Sequence, residues 1–291
     1  MSTVLDKSPG LMRELAVGAV RSLRRRPSAG ASYPGTRLVL RGVRADPDRL
    51  ARYARVCGFP STARELPLPY LHVLAFPLTL RLLGARGFPL PLPGLVHTSI
   101  ELVRHAPLPV SQPYEFTVYV SGLAPHRRGT EATVVTQARL GGEPVWESRS
   151  TYLSRHRTTD GAAAAPPPEP TAPLPFRVRW SLPGGLGRAY AAVSGDRNPI
   201  HLTRLTARPF GFPRAIAHGM WTAARCLAEY GDADAARVEF RAPVLLPGTV
   251  RYGAAPEGGR FELRGGEDRV HVSGWAGPVG PGRGTPGGSA R

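Results

Sequence analysis

The feature that most constrains this sequence is an internal repeat. The segment Tyr53-Ala54-Arg55-Val56-Cys57-Gly58 matches Tyr190-Ala191-Ala192-Val193-Ser194-Gly195 at an offset of 137 residues, and Ala106-Pro107 matches Ala242-Pro243 at an offset of 136. A nearly constant offset indicates a duplicated unit of roughly 120 residues. The chain, at 291 residues, is long enough to hold two such units, each with a core of its own.

Apolar periodicity predicts the same element order in both units: one strand, a short helix, a long apolar helix and four strands. In the first unit the expected segments are 36–43, a helix opening at Asp46-Pro47-Asp48, a helix from near Tyr70 to Gly84, and strands 96–103, 114–120, 130–140 and 145–153. In the second they are 176–180, 188–194, 216–230, 237–240, 250–254, 261–264 and 270–275. Because each long helix is hydrophobic on most sides, we expect an antiparallel sheet wrapped round it, an α+β fold.

The segments outside the two units are simpler. We divide the chain into an N-terminal helical segment 1–34, a first unit 35–157, an Ala/Pro-rich linker 158–175, a second unit 176–277 and a disordered tail 278–291. The stretch from Leu11 to Val20 is interrupted by Arg13 and Glu14, so it is no signal peptide and predicts a short amphipathic helix that packs against the body.

Charge and cysteine content narrow the class of partner. The net charge is +17, but Lys7 is the only lysine, so 37 of the 38 basic residues are arginines, and they are scattered. We therefore expect no nucleic-acid binding, although a basic surface suits a phosphate-bearing ligand such as coenzyme A or an acidic carrier protein. Apolar runs fall short of the roughly 18 residues that a membrane span needs, so no integral membrane contact is expected. Cys57 and Cys226 are expected to be buried thiols in a reducing, cytoplasmic compartment.

The segment from Ser194 to His201 carries the most informative chemistry. Gly195 permits a sharp turn and Asn198-Pro199 is a loop signal, so the bend can bring Asp196 and His201 together. A carboxylate beside an imidazole is a proton-transfer pair. Asn198 can hold one member of the pair in place by hydrogen bonding. We therefore predict Asp196 and His201 as catalytic residues with Asn198 in support.

A second motif, Ala217-His218-Gly219-Met220, stands at the start of the long helix. A free N–H there, aided by the helix dipole, can polarise a carbonyl as an oxyanion donor, which we assign to Gly219. His218 is as consistent with a structural role as with ligand contact. An acid–base pair and a carbonyl clamp suit proton abstraction beside a carbonyl, or addition of water across a conjugated double bond. His97 is interpreted as a hydrogen-bonded core histidine on a strand. The remaining histidines lack acidic or cysteine neighbours at ligand spacing, so no metal site is predicted; they are His72, His105, His126, His156 and His271.

Together these motifs resemble the MaoC-like, R-specific enoyl-CoA hydratase family. The resemblance rests on three motifs in order: Tyr190 to Gly195 followed by Asp196, Asn198-Pro199-Ile200-His201; Ala217-His218-Gly219-Met220; and Val238-Glu239-Phe240-Arg241-Ala242-Pro243-Val244 with Pro247-Gly248. They cover about 174–276. The first half resembles the degenerate N-terminal repeat of double-hotdog members, the fused (3R)-hydroxyacyl-thioester dehydratases.

The resemblance implies a double hotdog fold and a hydro-lyase. It implies that Asp196 and His201 hold the water that is added or lost, that Asn198 supports them, and that the Gly219 N–H polarises the thioester carbonyl. A (3R)-3-hydroxyacyl thioester of coenzyme A or acyl carrier protein would lose water reversibly to give a trans-2-enoyl thioester, with no metal or cofactor. A single chain with two fused units already supplies a pseudo-dimer, so either a monomer or a homodimer of such chains is expected.

The first repeat departs from this motif at the reacting positions. Phe59 stands where the second repeat has Asp196, Ser61 stands for Asn198, and Arg64 for His201; His72 and Val73 stand opposite the pair His218-Gly219. We therefore predict one active site per chain, with the first unit shaping an acyl tunnel that admits a longer apolar chain.

Two other functions remain open from the sequence. The same fold serves acyl-CoA thioesterases, which would release free thiol. A non-catalytic acyl-thioester binding module would bind acyl-CoA without turning it over.

Overall fold

The computed structural model describes residues 2–279 apart from 23–24, 26, 28–30, 34, 61–63 and 158–171. The elements of the N-terminal half are β1 (Ser2–Leu5), α1 (Leu11–Ser22), β2 (Arg37–Val43), α2 (Pro47–Cys57), α3 (Tyr70–Leu83), β3 (Leu95–Arg104), β4 (Tyr114–His126), β5 (Gly129–Leu140) and β6 (Glu143–Arg155). Those of the C-terminal half are β7 (Phe176–Leu182), α4 (Leu186–Ser194), α5 (Arg204–Ala207), α6 (Gly219–Tyr230), β8 (Ala235–Phe240), β9 (Gly248–Ala254), β10 (Arg260–Arg264) and β11 (Val270–Gly277). The repeated order that the sequence predicts is confirmed.

The strands form one sheet that runs through both halves. Its order is β1-β2-β4-β5-β6-β3-β8-β11-β10-β9-β7, so β3 and β8 join the halves at the centre. These two strands are antiparallel, with Glu101 opposite Arg237. The central helices α3 and α6 pack against the sheet, each in its own half. The architecture is the predicted α+β double hotdog.

Local sequence signals account for the helix that precedes α3. Asp46 caps α2 by accepting a hydrogen bond from the Arg49 backbone N–H, and Pro47 occupies the first helical position. Gly58 ends the helix with φ of 84°, a left-handed conformation that glycine adopts without strain. The apolar α3 follows, and nearly every side chain along it is buried. It therefore forms the centre of the first core, as its lack of a polar face predicts.

The N-terminal segment packs against the first half, which confirms the expectation for α1. The backbones of α1 and α3 approach closely: a Cβ added to Gly18 would lie 3.1 Å from the Cα atom of Gly84. The Arg25 guanidinium donates hydrogen bonds to the carbonyls of Leu83 and Leu90. Strand β1 was not expected; it pairs parallel with β2. Its side chains are largely exposed, so the pairing leaves little apolar signal in the sequence.

The long helix of the second half begins later than predicted. The sequence suggested a start at Ile216, but α6 starts at Gly219. Ile216 forms an isolated antiparallel bridge with Leu245, and the Ala217 N–H donates to the Val244 carbonyl. These long-range bonds hold the residues before Gly219 in an extended conformation. Because α6 starts only at Gly219, the Ile216 carbonyl is available to accept a hydrogen bond from a side chain.

Two predicted segments fall largely outside this description. Most of the linker, 158–171, and the tail from 280 onward are not among the described residues. Within the part of the chain that is described, no helix has the length and apolar character needed to cross a membrane.

Candidate active site

The loop after α4 is bent by its own side chains. Gly195 ends α4 in a left-handed conformation with φ of 83°. The Asn198 backbone N–H donates to Asp196 Oδ1 at 3.1 Å, and Asn198 Oδ1 accepts from the Ile200 N–H at 3.4 Å. The second bond caps a 3-10 turn that ends in His201. Asn198 thus contacts Asp196 through its backbone, while its amide shapes the turn that presents His201.

His201 is held in one tautomer by the extended segment before α6. Its Nδ1 lies 2.8 Å from the Ile216 carbonyl oxygen. Because a carbonyl only accepts, Nδ1 carries the proton and Nε2 presents its lone pair. The side chain is buried, and this burial lowers its pKa from 6.5, against the opposing effect of the Asp196 charge. The residue is therefore a neutral imidazole with one free acceptor nitrogen.

His218 connects this imidazole to the loop. Its Nε2 donates to the Asp196 backbone carbonyl at 2.9 Å and lies 3.9 Å from Asp196 Oδ2. Its ring stacks on that of His201, with centroids 3.7 Å apart. Burial, together with the neighbouring His201, lowers the pKa of His218 to about 3. These contacts favour the structural interpretation that the sequence left open for His218.

The site combines two buried imidazoles with one carboxylate that solvent reaches. The Asp196 side chain is 25% exposed, against 2% for His218. One potential ligand atom from each of Asp196, His201 and His218 lies within 4.8 Å of the others. This spacing of the three ligand atoms also suits a metal ion. The sequence did not indicate a metal site here, because no acidic residue stands near His218 along the chain.

Gly219 is the first residue of α6, directly after His218. An N–H at this position has no acceptor inside the helix. A Cβ added to Gly219 would lie 3.3 Å from two ring atoms of Phe240, so the Phe240 ring lies against this glycine. Because glycine has no side chain, a ligand carbonyl can approach the backbone N–H at this helix start and be polarised by it.

The N-terminal half also fixes the loop. Arg49, on α2, donates from Nε to the Val193 carbonyl at 2.6 Å and from Nη2 to the Ser194 carbonyl at 3.0 Å. Leu11 of α1 lies against Gly195, where a Cβ would collide with its side chain. Neither residue was a candidate from the sequence, because the contacts span more than 140 positions and no local pattern marks them.

The corresponding loop of the N-terminal half carries different chemistry. Phe59 stacks near Tyr53, with ring centroids 6.2 Å apart. A cavity of about 850 Å³ lies beside Phe59, and Arg104 in its wall pairs with Glu65, Asp232 and Asp234. Asp196, His201 and Gly219 do not line it. Ser61, aligned with Asn198 in the repeat, lies outside the described residues.

Comparison with known proteins gives matches over both halves. Residues 185–273 match the MaoC like domain family. Over 236 residues the chain is 36% identical to 3-hydroxyacyl-thioester dehydratase X of Mycobacterium tuberculosis, covering 79% of this chain and 84% of the relative. The crystal structure of HtdX from Mycobacterium tuberculosis superposes with a TM-score of 0.72 at 31% identity, covering 84% of this chain and all of that one. A double-hotdog protein of the same organism shares the fold, with a TM-score of 0.51 at 13% identity and 94% coverage of each chain.

Proposed function

This chain belongs to the MaoC-like family of 3-hydroxyacyl-thioester dehydratases, and we propose that Asp196 and His201 carry out its reaction with the Gly219 N–H as oxyanion donor. The activity is the dehydration of hydroxyacyl thioesters in fatty-acid metabolism. In the form proposed, a (3R)-3-hydroxyacyl thioester is converted reversibly to a trans-2-enoyl thioester. Asn198 supports the pair by shaping its loop.

The observation that carries the proposal is the state of His201. Its Nδ1–H is committed to the Ile216 carbonyl, so its other nitrogen is a neutral base, and the imidazole lies near the carboxylate of Asp196. A neutral imidazole with a fixed tautomer is suited to taking a proton from carbon next to a thioester. The start of α6 follows His218 directly, which supports the proposal that the Gly219 N–H acts beside the dyad.

The proposed dehydration balances without any added reagent. His201 Nε2 takes the proton from C2 while the thioester oxygen gains negative charge against the Gly219 N–H. The C2 electron pair then forms the double bond to C3, and the C3–O bond breaks. The departing hydroxide takes the proton from His201 and leaves as water, hydrogen-bonded to Asp196. Hydration of the enoyl thioester follows the same path in reverse.

We also propose the carrier of the substrate, the bounds of the two units, the cellular location and the oligomeric state. The substrate is an acyl thioester, carried by coenzyme A or by acyl carrier protein, and the arginine-rich surface favours either phosphate-bearing carrier. We place the first unit at 35–157 and the catalytic unit at 176–277. A cytoplasmic location and a homodimer of such chains are also proposed, the latter testable by light scattering.

The test follows the enoyl absorbance of crotonyl-CoA and dodecenoyl-CoA as water adds. The purified protein should remove this absorbance, and Asp196→Asn and His201→Ala should each lower kcat/KM by a factor of about 10² to 10⁴. Asp232→Asn and His105→Ala, at the opposite end of the β3–β8 pair, serve as matched controls. Wild-type rates in both dyad variants would refute the assignment.

Three other outcomes would identify a different function. Release of free thiol, measured with a thiol-reactive dye, would identify a thioesterase. Binding of acyl-CoA without turnover would identify a binding module. A rate that falls with EDTA and returns with a divalent ion would make Asp196, His201 and His218 a metal site, whereas the proposal expects no change.

A further inference from the structure

A second group of histidines lies in the N-terminal half, apart from the dyad. His72 is on α3 and His97 is on β3, and their ring centroids lie 5.9 Å apart. His72 is only 4% exposed. Among the described residues, ten buried side-chain polar atoms have no hydrogen-bond partner, and His72 Nδ1 and His97 Nε2 are two of them. Buried polar atoms normally have a partner, and these two belong to rings that stack on each other, so one ligand group could supply the missing hydrogen bonds.

Ring contacts connect this pair to the catalytic half. The His97 ring lies 5.0 Å from that of Phe240 and 4.6 Å from that of Tyr152, measured between centroids. Phe240 is the residue that lies against Gly219. A register shift between His97 and Ser99 interrupts the β3–β6 pairing at this point, and such bulges re-aim a side chain. His97 and Gly219 therefore lie near the same ring, that of Phe240.

The pKa of His72 also indicates that the two histidines lie near the catalytic loop. The charge of Asp196 acts on His72, raising its pKa against the larger effect of burial. Burial still lowers the pKa of His72 to about 4 and that of His97 to about 3, so both rings are neutral at physiological pH. The Ser99 backbone has a smaller, opposing effect on the pKa of His97. A neutral imidazole has one N–H and one acceptor nitrogen, so an unpartnered ring nitrogen needs a group that accepts or donates a hydrogen bond.

We propose that His72 and His97 form a second polar subsite, which binds an uncharged hydroxyl group on the acyl chain beyond C3. This inference rests on the proposed function. A hydroxyl both donates and accepts a hydrogen bond, so it can pair with an imidazole nitrogen in either tautomer. A charged group is disfavoured because the two rings are neutral and cannot compensate a buried charge. The preferred substrate is then a hydroxyacyl thioester with a second oxygen along the chain, in place of the purely apolar chain that the sequence suggested.

The experiment compares (3R)-3-hydroxydecanoyl-CoA with five analogues that carry a second hydroxyl at one carbon from C5 to C9. We expect one position to raise kcat/KM about tenfold over the unsubstituted substrate, the effect of one well-placed hydrogen bond. The quantity read is the ratio of the two kcat/KM values. In His97→Phe and in His72→Leu this ratio should fall to about one or below, whatever the absolute rate. His97→Gln, which keeps a polar end, should retain part of the ratio, and His105→Gln should leave it unchanged.

The possible failures are distinguishable. If the wild-type protein dehydrates the unsubstituted substrate but no second hydroxyl improves kcat/KM, the subsite is refuted and the proposed function stands. A preference that survives in both His97→Phe and His72→Leu also refutes it. If no thioester is dehydrated, the proposed function fails. The subsite is then judged by calorimetry, which should give tighter binding of one hydroxylated analogue, with the gain lost in His97→Phe; equal affinities would refute it.

Discussion

His218 donates a hydrogen bond from Nε2 to the backbone carbonyl of Asp196, at 2.9 Å. The same ring stacks on His201, with centroids 3.7 Å apart. One buried side chain at the start of α6 therefore touches both members of the proposed dyad. It sets the distance between the helix start and the loop, which the reaction requires to be fixed.

His218→Gln and His218→Phe separate these two contacts. A glutamine amide can replace the Nε2–H donor to the Asp196 carbonyl, whereas phenylalanine keeps a ring against His201 but has no donor. If the hydrogen bond matters most, His218→Gln should retain more kcat than His218→Phe, by about tenfold, with KM similar in both. Equal kcat values in the two variants, with circular dichroism confirming folded protein, would show that the bond does not position Asp196.

Arg49 is expected to act on the reaction from the other half of the chain. Arg49→Met removes both hydrogen bonds to the end of α4, so the loop that carries Asp196 loses its anchor. We expect kcat for hydration to fall about tenfold, since hydrogen bonds from a charged donor contribute about 1.5–3 kcal/mol. Arg52→Met, an exposed residue on the same helix, is the matched control. An Arg49→Met rate equal to that of the control would contradict this role.

A methyl group at Gly219 tests the oxyanion donor. The Cβ of Gly219→Ala would sit 3.3 Å from the Phe240 ring, beside the N–H that the thioester oxygen must reach. We expect kcat/KM to fall by about 10²-fold, within the range for loss of one oxyanion donor. Gly35→Ala, where no atom lies within 4 Å of the added Cβ, should not change the rate. Retention of more than a third of wild-type kcat/KM by Gly219→Ala would contradict the assignment.

The proposed role of His201 as the base predicts how the activity depends on pH. The base works only when Nε2 is unprotonated, and burial lowers its pKa from 6.5. Activity is therefore full above the ordinary histidine range and is lost as pH falls through the lowered pKa. A profile of kcat/KM from pH 4 to 9 should show an acidic limb whose midpoint lies below 6.5. A midpoint above about 7 would indicate a different base.

Much of the fold could be predicted because its signals are local. Asp46 at the start of α2 and the glycines Gly58 and Gly195 at the ends of α2 and α4 mark helix boundaries within a few residues. The repeat then assigns the same topology to both halves. The Asp196-to-His201 loop can be predicted from the sequence for the same reason, since its turn is made by hydrogen bonds between residues two apart.

The remaining features depend on contacts that no short segment encodes. The apolar pattern predicts that Ile216 begins a helix. Its pairing with Leu245 instead keeps it extended, so its carbonyl can accept a hydrogen bond from His201. Arg49 reaches the loop across 144 residues of sequence. The sequence indicates a hydrogen-bonded core histidine at position 97, and only the neighbours of His97 in the fold show that its Nε2 has no partner among the described residues.

A crystal structure of the Asp196→Asn variant with a (3R)-3-hydroxyacyl-CoA bound would show directly how the proposed site holds its substrate. We predict that the C3 hydroxyl lies within hydrogen-bond distance of His201 Nε2 and of the side chain at position 196, with the thioester oxygen about 3 Å from the Gly219 nitrogen. A thioester bound instead in the cavity between Phe59 and Arg104, or with its carbonyl turned away from α6, would contradict it.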